Sequence, residues 1–154
     1  MSTLNALTVA VEVASRKRDE ALRLLQEAQG AQHAAQDQLN QLQGYARETE
    51  GRWGMRADAA VQPEVMFHHY QFMDRLSHAV GLQTGVGSDH ASRVQDATRT
   101  LLEAELRLAS LRKVVEKRQQ DHERQQMRRE QKQTDERASI QVRNAINGPP
   151  GQEY

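Results

Sequence analysis

The sequence predicts an all-α protein, a long antiparallel two-helix coiled-coil hairpin with a protruding C-terminal helix. Three observations carry that expectation. Aromatic residues make up 4% of the 154 and apolar residues 37%, against 27% charged, which is too little bulky side chain for a compact core. Good helix formers (Ala, Leu, Glu, Arg and Gln) dominate, and the three prolines are confined to Pro63, Pro149 and Pro150. Two apolar seams then recur at the alternating three- and four-residue spacing of a heptad repeat.

The first seam reads Leu4, Leu7, Val11, Ala14, Arg18, Ala21, Leu25, Ala28, Gln32, Ala35, Leu39, Leu42, Ala46, Thr49, Trp53. Twelve of these fifteen positions are apolar, the exceptions being Arg18, Gln32 and Thr49. So regular a run predicts helix one over about 4–53. Its many alanines allow close approach while each layer buries little.

Between Gly51 and Pro63 the pattern fails, which places a turn at about 54–63. Proline suits the first turn of a new helix, where its missing N–H has no partner to lose. Helix two is predicted over about 64–145, with a seam of Met66, His69, Met73, Leu76, Val80, Gln83, Gly87, His90, Val94, Ala97, Leu101, Ala104, Leu108, Leu111 and Val115. Beyond it the same register meets Arg118, His122, Gln125, Arg129 and Lys132, and the apolar stripe stops. A hairpin reversing near 54–63 sets Leu4 opposite Lys113 and Tyr45 opposite Phe72, so the stripe ends where helix one runs out. The segment from Glu116 to about Ala145 still favours helix, and it is marginal in water without a partner. Gly148-Pro149-Pro150-Gly151 closes the helix, leaving 148–154 as a disordered tail on a single domain of 1–147.

Composition also bounds function. The 21 acidic and 21 basic residues cancel, so no global field points to nucleic acid or to direct insertion into a membrane. The absence of cysteine excludes disulfides, thiolate zinc sites and cysteine nucleophiles. No apolar run approaches a membrane span, and no secretory leader is recognisable, so the expected compartment is the cytoplasm. Six histidines lack ligand spacing, and Gly85-Val86-Gly87-Ser88-Asp89 lacks the lysine of a phosphate loop. No metal, no cofactor and no catalytic residues are therefore expected. The stretch Arg112–Arg143 holds ten basic and six acidic residues and reads as a solvated face.

Two stretches admit a functional reading beside a structural one. Tyr45, Trp53, Phe67, Tyr70 and Phe72 gather five of the six aromatics, either as a plug closing the hairpin tip or as the start of a partly exposed stripe, Phe72, Leu76, Ala79, Gln83 and Val86, suited to docking. Gly81, Gly85 and Gly87 weaken the middle of helix two, as a tolerated soft spot, a break or a flexible joint.

At Arg16-Lys17-Arg18-Asp19-Glu20-Ala21, Tyr70-Gln71-Phe72-Met73-Asp74-Arg75-Leu76 and Glu130-Gln131-Lys132-Gln133-Thr134-Asp135-Glu136 the chain resembles the FliJ family of bacterial flagellar type III export, from Leu4 to about Asn144. The resemblance implies an antiparallel coiled coil like the central stalk of rotary ATPases, not an enzyme. It implies binding to the hexameric export ATPase, the membrane export gate and export chaperones, by a protein monomeric when free and peripheral to the inner face of the cell membrane. Carried over by position, the ATPase-binding residues would be Arg16, Arg18, Asp19, Glu20, Gln131, Lys132, Asp135 and Glu136. The gate-binding residues would be Phe72, Leu76, Ala79 and Gln83, although the family often carries another polar residue at the position of Gln83. Competing readings are a holdase-like chaperone for unfolded export substrates, a generic structural coiled-coil adaptor that self-associates, and the injectisome counterpart of the same architecture.

Overall fold

The computed structural model describes residues 2–55 and 62–148. They form two α-helices, α1 over Ser2–Met55 and α2 over Pro63–Ile146. Most of the expected turn and nearly all of the expected tail lie outside the described residues. Pro63 opens α2 as its first residue, and the Gln62 carbonyl accepts the N–H groups of Val65 and Met66, both at 3.1 Å. Glu64 in the first turn and Arg143 in the last complement the partial charges of the two ends.

By contacts the chain divides into two compact units, one of 14–107 and one of 1–13 with 108–154, and both helices contribute to each. In the unit of 14–107 the helices run antiparallel. Trp53 stacks on His69 with ring centroids 4.1 Å apart, Tyr45 meets Phe72 edge-on at 5.9 Å, and Gln83 Nε2 donates to the Ala35 carbonyl at 2.9 Å. The core is thin, with Ala14, Ala21, Leu25, Ala35 and Leu76 buried. In the other unit Leu108 is buried, and Leu4, Leu7, Val11, Leu111 and Val115 are half-buried. All thirty seam positions are at least half-buried, and outside them only Ala10, Ser15, Gln43 and Ala79 are so among the described residues. The 3.5-residue repeat has thus selected the packed face almost without error.

The register is the point of correction. Tyr45 does meet Phe72, but Leu4 does not sit opposite Lys113. Thr3 and Leu4 share a groove with Arg118, Asp121, His122 and Gln125, about two turns further along α2. Ala21 likewise shares its groove with Thr100, Glu103, Ala104 and Arg107, the i, i+3, i+4, i+7 set that makes a hole for a knob. Two long rings meeting fix a register only to within about a turn, and the periodic pattern carries no information about the length of the reversal. The apolar stripe of α2 therefore ends before the pairing does, and Leu4 packs on the stems of polar side chains.

From Glu116 to Gly148 every residue is exposed. Beyond Gln125, α2 runs on past the start of α1, which is the protruding helix the sequence predicted. The helix is also unbroken through Gly81, Gly85 and Gly87.

Candidate partner-binding surfaces

The residues expected to meet an ATPase lie on both units. On α1, Arg16 is exposed, while Arg18 occupies a seam position and its Nε donates to Asp19 Oδ1 at 2.8 Å. Glu20 is held by Arg23, whose Nε donates to Glu20 Oε2 at 3.0 Å while another of its nitrogens reaches Glu27. The hydrogen bond from Arg23, assisted by its charge, lowers the Glu20 carboxyl below its ordinary value and raises the guanidinium in return. On α2, Gln131 Nε2 donates to Asp135 Oδ1 at 3.2 Å, and Lys132 and Glu136 are exposed. The helical repeat sets Lys132 and Glu136 one turn apart on one face.

The stripe from Phe72 to Val86 divides in two. Leu76 is 8% exposed and belongs to the core. Gln83 is half-buried, tied to the Ala35 carbonyl and, at 3.2 Å, to Gln38 Oε1. Phe72 is 40% exposed and Val86 42%, with Ala79 half-buried between them. The accessible stripe is completed by Leu82, 62% exposed, which sequence reasoning passed over. The signal was present: at about 100° per residue Ala79, Leu82 and Val86 fall on one side of Phe72, and Leu76 and Gln83 on the other. Nearer the tip, Phe67 and Tyr70 are each more than half exposed. The aromatics thus divide between packed and exposed positions. Trp53 closes on His69, while Tyr45, Phe67, Tyr70 and Phe72 offer open ring surface.

Among the described residues no group of three or more His, Cys, Asp and Glu side chains converges as a metal site would, and no helix is long and apolar enough to cross a membrane. Among the described residues, open grooves run along the helix pair, such as that between Gln43, Ala46, Glu50, Met73 and Val80. What the geometry offers is lateral apolar surface, exposed charge and an unpaired helix, all of which suit macromolecular contacts.

The family model for the flagellar FliJ protein matches residues 3–147, nearly the whole chain. The chain belongs to the FliJ family. A solved structure of a YscO homolog, CT670 from Chlamydia trachomatis, superposes on this FliJ-family chain with a TM-score of 0.71 at 15% identity, covering 97% of this chain and 96% of that one. At that identity the likeness speaks for the fold, a two-helix coiled coil. No curated protein matches the sequence. Membership relates the chain to type III export.

Proposed function

We propose that this FliJ-family chain is a cytoplasmic, non-enzymatic component of the flagellar type III export apparatus, which binds the hexameric export ATPase and promotes its assembly and activity. The observation that carries the reading is the run of exposed residues from Glu116 to Ile146 on a helix that continues past its own partner. A helix with no internal partner gains least from the fold that bears it, and a second protein supplies the missing surface. In this reading Arg16, Arg18, Asp19 and Glu20 with Gln131, Lys132, Asp135 and Glu136 engage the ATPase. Phe72, Ala79 and their exposed neighbour Leu82 engage the membrane export gate, with Leu76 and Gln83 supporting them from inside. Export chaperones are escorted by the same chain. ATP hydrolysis belongs to the partner, and this protein biases the ring mechanically.

The test is ATP hydrolysis by the flagellar export ATPase, with sizing for ring assembly, in the presence of the full chain and of a chain ending at Met127. Stimulation by the full chain that is lost on truncation supports the proposal. Equal rates with and without the full chain overturn it. A second reading draws on the exposed rings of Tyr45, Phe67, Tyr70 and Phe72: a holdase that shields unfolded export substrates. Suppression of substrate aggregation without any change in the ATPase would favour it.

A further inference from the structure

Beyond the reach of α1, a second heptad stripe begins on α2. Met127, Gln131, Thr134, Ala138, Gln141 and Ala145 alternate four and three residues apart, and all six are exposed. Eight of the twenty residues from Met127 to Ile146 are charged, yet none of those eight lies on the stripe. The stripe does not prolong the hairpin seam. The groove of Thr3 and Leu4 is lined on α2 by Arg118, Asp121, His122 and Gln125. At about 100° per residue, the stripe points nearly opposite to the mean direction of those four.

The residues beside the stripe indicate what covers it. Arg128, Asp135 and Val142 stand on one flank, and Glu130, Arg137 and Asn144 on the other. When two copies of such a helix pair antiparallel, each flank meets the same flank of its mate, and registers differ by steps of seven residues. In one register Met127 is level with Ala138 of the second copy, and Gln131 with Thr134. Arg128 then meets Asp135, and Glu130 meets Arg137. The two-fold axis repeats both, so each flank carries opposite-charge pairs and no like-charge pair. A slip of seven one way sets Asp135 on Asp135 and Arg137 on Arg137. A slip the other way sets Arg128 on Arg128 and Glu130 on Glu130. A parallel pair sets Arg124 on Arg124 and Glu130 beside Asp135. The face thus complements itself in one orientation and at one register.

We infer that this face pairs antiparallel with the same face of a second copy of the chain, in the register that sets Met127 against Ala138. The polar layers of Gln131 and Thr134 keep the association weak and hold its register. A lone polar helix is marginal in water, and self-pairing covers it while no other partner does. In the ATPase reading the pair withholds Gln131 and Asp135, so self-association and ATPase binding exclude each other. The inference itself goes beyond that reading, and its test contains no ATPase.

The chain has no cysteine, so single introduced cysteines report the pairing without interference. Full-length Met127→Cys mixed with full-length Ala138→Cys in a glutathione buffer should give the mixed disulfide well above its statistical half. Two copies of position 127 would lie about 16 Å apart along the axis, whereas a disulfide joins Cα atoms no more than about 7 Å apart. By sedimentation equilibrium, the full chain should rise above the monomer mass as its concentration increases. Glu130→Arg should weaken the dimer about fivefold at low salt, and Glu130→Arg/Arg137→Glu should bring it back to within about twofold of the wild type. These positions are exposed, and an unchanged far-UV helix signal should accompany each variant. A monomer mass at every concentration up to about 1 mM overturns the inference. A disulfide formed best between two Met127→Cys chains also overturns it, as the mark of a parallel pair. So does self-association indifferent to Glu130→Arg, which would belong to another surface, such as that of Phe72 and Leu82. Each of these outcomes leaves the ATPase reading to its own test.

Discussion

Residues one turn apart on α2 have opposite fates, and Phe72 and Leu76 show why. Both lie on the stripe read from the sequence, yet Leu76 turns into the seam and Phe72 sits at its margin. Leu76→Ala removes a buried side chain from a thin core and should cost about 2–3 kcal/mol of stability by denaturant titration. Phe72→Ala loses mainly the edge contact with Tyr45 and should cost about 1 kcal/mol or less, with the helix signal retained. If the gate reading is right, the second substitution and not the first acts on binding at matched folded fraction. The heptad pattern already held Leu76 in its seam, and only its double membership concealed the outcome. Glu20 offers a finer test. Its folded carboxyl is depressed by Arg23, so its small contribution is present above the ordinary carboxylate value and fades as pH falls through the lowered one. Arg23→Gln should move the Glu20 titration upward, as followed by side-chain NMR.

On the scale of elements, α2 passes unbroken through three glycines that the sequence allowed to be a break. A helix already held by packing on both sides needs no nucleation there, only propagation at a local cost. None of Gly81, Gly85 and Gly87 has an atom within 4 Å of where a Cβ would stand, so no close approach demands glycine. Gly85→Ala, in an exposed helix interior, should therefore raise stability by about 0.5–1 kcal/mol, measured by chemical denaturation. Loss of stability would show a packing role that the geometry does not contain. The seam is polar or small at the same level, with Gln83, Gly87 and His90 in succession and Gln32 between Ala28 and Ala35 on α1. Amides around 81–90 should accordingly exchange faster than those around Val94–Ala104 in the same unit. Periodicity could name the weak stretch, but not whether neighbouring layers would hold it helical.

For the molecule as a whole, two helices, their faces and their antiparallel pairing were legible because a heptad seam is a direct imprint of burial. The offset between them was not, because it depends on the reversal, where no seam runs. That offset changes what a truncation does. A chain ending at Val115 would strip Arg118, Asp121, His122 and Gln125 from Thr3 and Leu4, so the first turns of α1 lose their cover. Its unfolding midpoint should fall by a few degrees, since about 1 kcal/mol is worth roughly 2–8 °C in chains of this size. A chain ending at Met127 keeps that groove and, among the described residues, gives up only exposed ones, so its midpoint should stay within about 2 °C of the full chain. Should both truncations melt together at a lower temperature, residues 128–148 would be making contacts that their exposure denies. Should neither differ from the full chain, the groove at Leu4 contributes nothing, and the pairing effectively ends with the apolar stripe at Val115. The predicted order, full chain and Met127 together with Val115 below them, separates the part of α2 that serves the fold from the part left free for a partner.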